Sequence, residues 1–161
     1  MNPLEILENE ILLVPACAWG VAQILKAIIN LIMSKKFSIE RLFGDGGMPS
    51  GHSATVTALA VMVGLSDYGF KSAEFAIATI LAIIVMHDAT GVRLEAGKQA
   101  ASIIKMAELL NDYFSERDEH IKTDKLKVLV GHTPLQVVCG SLLGGIIAIV
   151  YSLFDTGFII I

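Results

Sequence analysis

Gly44-Asp45-Gly46-Gly47-Met48-Pro49-Ser50-Gly51-His52-Ser53-Ala54-Thr55 sets glycines, small hydroxyls and one histidine directly before an apolar run. Glycines let backbone N–H groups come close to a ligand, and the run that follows predicts a helix whose first N–H groups have no helical partner. A helix start of this kind favours an anion, phosphate above all. Two general readings compete. Gly46 and Gly51 have the spacing of a P-loop, but His52 stands where its lysine belongs and no strand pattern precedes it, so that reading fails. The other is a Gly/Pro turn in which Ser50 or Ser53 caps the helix.

Around this stretch the chain is strongly apolar. Of its 161 residues 54% are hydrophobic and 17% charged, and the mean hydropathy is +0.67. That composition belongs to a membrane protein rather than to a soluble domain. A net charge of -4 with no basic arm argues against nucleic acid as a partner. Cys17 and Cys139 lie in apolar runs without metal-ligand spacing and read as small buried hydrophobes.

The first ten residues carry Glu5, Glu8 and Glu10 and no basic residue, unlike a secretory signal, so the first apolar run is expected to be retained. Ile11 to Met33 is long enough to cross a hydrocarbon core of about 30 Å. Lys26, near its second end, is expected to snorkel to the headgroups, a polar interior being the alternative. Ser53 to Leu65 predicts a helix that rises only about 20 Å, so its loop end is expected within the membrane layer, surrounded by protein. Ala73 to Met86 predicts a third helix ending in His87-Asp88.

From Leu94 to Phe114 the apolar residues Ile103, Met106, Ala107, Leu110, Tyr113 and Phe114 recur at helical spacing, with Lys98, Lys105, Glu108 and Asp112 on other faces. This is an amphipathic helix, on the membrane or against the other helices, its stripe expected to pack in the core. Ser115 to Lys127 reads as a charged, solvated loop. Val137 to Phe154 is the last spanning run, and Gly140-x-x-x-Gly144 predicts close packing within the bundle. The fold class is an all-α integral membrane helical bundle of about four spanning or partly spanning helices plus an amphipathic helix, one domain over residues 1–161. Basic residues gather in the first and third connections, whereas the second holds only Lys71. The positive-inside rule places those two connections on the cytoplasmic side of the cell membrane.

Three stretches carry a resemblance. They are Gly47-Met48-Pro49-Ser50-Gly51-His52-Ser53-Ala54; Asp88-Ala89-Thr90-Gly91-Val92-Arg93 with Ala96-Gly97-Lys98-Gln99-Ala100; and Gly131-His132-Thr133-Pro134-Leu135-Gln136-Val137 with Gly140-Ser141-Leu142-Leu143-Gly144. In order and context, from roughly Arg41 to Gly145, they resemble the divergent branch of the type 2 phosphatidic acid phosphatase superfamily, which also contains the vanadium haloperoxidases. The resemblance implies a membrane-embedded phosphatase acting on a lipid phosphate or diphosphate through a phosphohistidine, with no metal and no cofactor. It casts His132 as nucleophile and His52 as general acid. Ser50, the Gly51 N–H, Arg93, Arg41 and Lys127 would hold phosphate oxygens, and Asp88 and Gln136 would orient. Hydrolysis through a covalent intermediate needs these three classes of group: a nucleophile, an acid for the leaving oxygen, and donors or cations on the remaining oxygens. The implied partner is a phosphorylated membrane lipid; nucleic acid is not one, and a homo-oligomer is left open.

The departures are specific. The superfamily's orienting aspartate falls on Gln136, whose amide oxygen accepts a hydrogen bond but carries no charge. The serine-arginine pair expected six to seven residues before the histidine is Lys125-Leu126. Arg41 follows Lys35 and Lys36 at shorter than the usual spacing, and Leu42 stands where a proline is expected. These changes leave a second reading, a degenerate member that binds phospholipid headgroups or serves a structural role. A metal-dependent phosphohydrolase is a third, from His87-Asp88 with His52, His120 and His132, although no pair has a known ligand spacing.

Overall fold

A backbone within hydrocarbon must satisfy its own N–H and C=O groups, so long apolar runs without breakers become helices. The computed structural model describes residues 3–34, 47–113, 121–123, 126 and 131–155. After a 3-10 turn at Pro3–Glu8 come α1 (Glu10–Ser34), α2 (Gly51–Leu65), α3 (Ala73–Thr90), α4 (Val92–Tyr113) and α5 (Pro134–Asp155). The architecture is an all-α membrane bundle. Glu10–Met33, Ala73–Tyr113 and Pro134–Asp155 are long and apolar enough to cross a membrane, and α2 is shorter.

α2 is the central element, packed against α1, α3 and α5. The buried faces are built from small residues at helical spacing. Val14, Ala18 and Ala22 of α1 meet Ala54, Ala58 and Met62 of α2 and Ala148 of α5. Gly140 and Gly144 set the closest approach: a Cβ on Gly140 would strike the Ser50 carbonyl oxygen, and one on Gly144 the Ala54 carbonyl oxygen. The packing expected of Gly140-x-x-x-Gly144 is therefore within the chain, backbone against backbone. Large side chains such as Ile77, Ile80, Leu142 and Ile146 point outward.

Ser50 starts α2, its Oγ accepting the Ser53 N–H at 3.3 Å, and Ser72 starts α3 in the same way from Phe75 at 3.1 Å. The α1 C-terminus, α2 N-terminus, α3 C-terminus and α5 N-terminus share one end of the bundle. At the far end Glu8, Glu10, Met62, Asp67, Tyr151 and Asp155 are among the residues around a cavity of about 400 Å³.

Four expectations change. α3 continues through His87-Asp88 to Thr90, because polar residues in a last helical turn interrupt the apolar run without breaking the backbone ladder; Gly91 ends it, its N–H bonded to the His87 carbonyl at 2.9 Å. On α4 the buried residues are Gly97, Ala100 and Ala107, whereas Ile103, Met106, Leu110 and Tyr113 are exposed. The large apolar stripe is thus not core, since the small residues alone allow close packing; Phe114 lies outside the described residues. Cys17 is exposed on α1, pointing away from the bundle, and Cys139 is half-buried. Finally, Lys26 is 5% exposed, turned into the bundle rather than up to the headgroups. It follows Val14, Ala18 and Ala22 at four-residue steps on the buried face of α1. Most of the charged stretch from Ser115 to Lys127 lies outside the described residues; where the chain is described, the Asn111 amide binds the Ile121 carbonyl and N–H at 3.1 and 2.9 Å.

Candidate active site

The site is assembled by backbone contacts between turns that are distant in sequence. The Ser50 N–H donates to the Gln136 carbonyl at 3.0 Å, tying the start of α2 to the first turn of α5. The His132 N–H donates to the Ala89 carbonyl at 2.9 Å, tying the residue before α5 to the end of α3. Gly131 makes that approach feasible: its φ of +87° is one that side-chain-bearing residues avoid, and a Cβ there would strike the backbone of Arg93 and Leu94. Glycine before the histidine is therefore a steric requirement of bringing α3, α4 and α5 together.

His52 and His132 meet with ring centroids 6.3 Å apart and planes inclined by 61°. Both line a cavity of about 230 Å³ whose other walls are Ile84, Val85, Asp88 and Ala89 of α3 and Arg93 of α4. The sequence separates the two histidines by 80 positions and the fold brings them to one space. His132 is 2% exposed. Its Nδ1 lies 3.3 Å from Gln136 Oε1, which also accepts the Thr133 N–H at 3.0 Å. An amide oxygen only accepts, so Nδ1 carries the proton in this pair and the neutral ring keeps its lone pair on Nε2. Nε2 is buried and has no hydrogen-bond partner among the described residues.

Burial pushes the His132 pKa below the ordinary histidine value, and the nearby charges of Lys26 and His52 push the same way; the Gln136 hydrogen bond and the Gly47 backbone oppose them. Neutral imidazole is the form a nucleophile needs.

Arg93 is held by Asp88, Nε to Oδ2 at 2.6 Å, with both side chains part-exposed at the cavity. Asp88 thus orients the arginine rather than a histidine. Ser50 and Gly51 lie behind the site instead of lining it. Ser50 is fully buried, its Oγ accepting from the Ser53 hydroxyl at 3.0 Å as well as from the Ser53 N–H. Gly51 faces Trp19 and Gln23 of α1. Arg41, Lys127, Lys125, Lys35, Lys36 and His120 lie outside the described residues. His87 is exposed, and among the described residues no three His, Cys, Asp or Glu side chains gather as a metal-ligand set.

Lys26 is the site residue that the sequence reading leaves at the membrane surface. Its stem lies against Gly47, within 3.2 Å of where a Cβ on that glycine would stand. Its ammonium is close enough to act on His132. The four-residue spacing from Val14 carries the signal, because a lysine on the small-residue face of a spanning helix faces protein.

The profile of the Divergent PAP2 family matches residues 7–147. An uncharacterized membrane protein of Bacillus subtilis (strain 168), YuiD, is 41% identical over 157 residues, covering 94% of this chain and 99% of that protein. No solved structure matches the chain. Matched along nearly its whole length, with its paired histidines set at one end of a helical membrane bundle, the chain belongs to the divergent PAP2 family.

Proposed function

We propose that the chain is a membrane-embedded phosphatase that hydrolyses a lipid phosphate or diphosphate. The observation that carries this reading is the shared cavity: His132 with a free Nε2 lone pair, His52 opposite it and Arg93 on the rim. In the first step His132 Nε2 attacks phosphorus and the bond from phosphorus to the ester oxygen breaks. The leaving oxygen takes that electron pair and accepts a proton from protonated His52. In the second step neutral His52 takes a proton from water, the water oxygen attacks phosphorus, and the P–N bond breaks to return neutral His132 and release phosphate.

Arg93 and Lys26 supply positive charge to the non-bridging oxygens, and Gln136 keeps the Nδ1 proton in place. Ser50 and Gly51 form the start of α2 behind the cavity, and a helix start favours an anion near it. Arg41 and Lys127 are further candidates for phosphate contact. The amide at Gln136 favours a second reading, a headgroup binder without turnover, because no carboxylate stabilises a cationic imidazole there.

The deciding experiment is phosphate release by purified protein in detergent from phosphatidic acid, phosphatidylglycerophosphate and isoprenyl diphosphates, with and without EDTA. Release that survives EDTA and disappears in His132→Ala and His52→Ala is the expected result. Release abolished by EDTA points to the metal-dependent reading. Absence of release by a folded protein that still binds orthovanadate leaves the headgroup binder.

A further inference from the structure

One wall of the histidine cavity has no place in the phosphoryl chemistry. Ile84 and Val85 line it beside Asp88 and Ala89, yet Ile84 is 59% exposed. A side chain that lines a cavity and also stands exposed on the outside of a helix is at the cavity's mouth. Ile84 is one helical turn before Asp88, about 6 Å along the axis, and about 9 Å inside the end of α3. The outer surface of α3 there is apolar, with Ile77, Ile80, Leu81 and Ile83 exposed as well. In a spanning helix such a surface faces hydrocarbon. The mouth at Ile84 therefore opens sideways into the bilayer, whereas Asp88 and Arg93 mark the polar rim.

Size then decides what enters. Sites that enclose a small molecule usually have about 300–1,000 Å³, and this cavity has about 230 Å³. A two-chain lipid does not fit; a phosphate and the first few atoms of its alcohol do.

We propose that Ile84 and Val85 form a lateral portal, through which the hydrocarbon chain of the substrate leaves the cavity for the bilayer while only the phosphate end is enclosed. This rests on the hydrolytic reading of the same site and narrows its substrate. A cavity of about 230 Å³ that encloses the phosphate leaves room for only a few atoms of the alcohol before the portal, so hydrocarbon must begin there. The substrates are thus esters in which phosphate is joined directly to a lipid alcohol, not lipids with a sugar or nucleoside between the two. Chain length past the portal has no protein surface to read it.

Two measurements test the portal. The first compares Ile84→Trp with the natural chain on dioctanoyl phosphatidic acid in mixed micelles and on water-soluble p-nitrophenyl phosphate. The expected result is a loss of about tenfold or more in kcat/KM for the lipid, with the soluble ester changed less than about twofold, because bulk at the mouth excludes the chain alone. Unchanged lipid turnover, or an equal fall on both substrates, overturns the proposal. The second needs no turnover. Phosphatidic acid carrying a diazirine near its acyl carbonyl is photolysed with the natural protein in vesicles, and the adducts are mapped. The expected adduct is at Ile84 or Val85, and excess orthovanadate removes it. Adducts spread evenly over Ile77, Leu142 and Ile146 overturn the portal. An Ile84 adduct without phosphate release from any lipid leaves the portal standing and removes the hydrolytic reading; release with adducts elsewhere does the reverse.

Discussion

The Nδ1 of His132 is turned toward an amide oxygen that also accepts the Thr133 N–H, and this fixes which nitrogen is free to react. It also sets a pH response. Because the folded-state pKa of His132 lies below its ordinary value of about 6.5, the unfolded chain binds the extra proton more readily. Folding stability therefore rises with pH between the lowered pKa and the ordinary value, and is lost on acidification through that same window. The acid limb of kcat/KM set by His132 is expected below the ordinary histidine range for the same reason. Gln136→Asp places a carboxylate beside Nδ1, favours the imidazolium, and is expected to move the acid limb to higher pH; a pH–rate profile of the two proteins checks this. Lys26→Met should act through the same residue, since it removes an ammonium that disfavours protonated His132. It should move the limb upward and lower kcat/KM by about 10²-fold through loss of phosphate stabilisation. An unshifted limb in Lys26→Met would place its charge too far from the ring to matter.

At the scale of elements, the packing of α5 on α2 is set by two missing Cβ atoms. Gly144 faces the Ala54 carbonyl, which cannot move without unwinding α2, whereas a Cβ on Gly145 would only touch Thr57 Cγ2 at 3.9 Å. Gly144→Ala is expected to cost about 3 kcal/mol and Gly145→Ala less than about 0.5 kcal/mol, read as unfolding midpoints in the same detergent. Equal effects would mean that the helices do not approach as described. Much of this was legible in the sequence. The apolar runs mark α1, α3 and α5, the pair Ser50 and Ser53 marks the start of α2 without choosing between the two caps, and Gly140-x-x-x-Gly144 marks an interface. What periodicity could not supply was the identity of the opposing surface. Ile103, Met106, Leu110 and Tyr113 share a face of α4, but the pattern does not say whether protein or lipid meets that face. Lys26 departs from its expected place for a related reason: a lysine near the end of an apolar run can reach outward, and only its alignment with Val14, Ala18 and Ala22 turns it inward. The site itself was legible as residue types, His52, His132 and Arg93, and not as a cavity, since Ile84 and Val85 have no sequence mark that separates them from other lipid-facing residues.

At the scale of the whole molecule, the described residues around the two cavities differ in charge. Arg93 lies at the histidine end. The far end gathers Glu8, Glu10, Asp67 and Asp155 about its cavity. By the positive-inside rule, the basic residues of the first and third connections in the sequence predict that the histidine end faces the cytoplasm. In a chain carrying Cys17→Ser and Cys139→Ser, Ser66→Cys is expected to react with a membrane-impermeant maleimide on intact cells, and Thr133→Cys only after permeabilisation; the opposite pattern would invert the orientation. The interior joining these two ends is made chiefly of alanine and glycine, with Val14 and Met62 its largest members in the central cluster. An alanine scan would consequently pass over the alanines of that interior in silence, since there is no side chain to delete, and would report only its glycines and few larger members. A scan with leucine would find it at once, and the map of positions intolerant to added bulk would trace the faces of α1, α2 and α5 without any structure in hand.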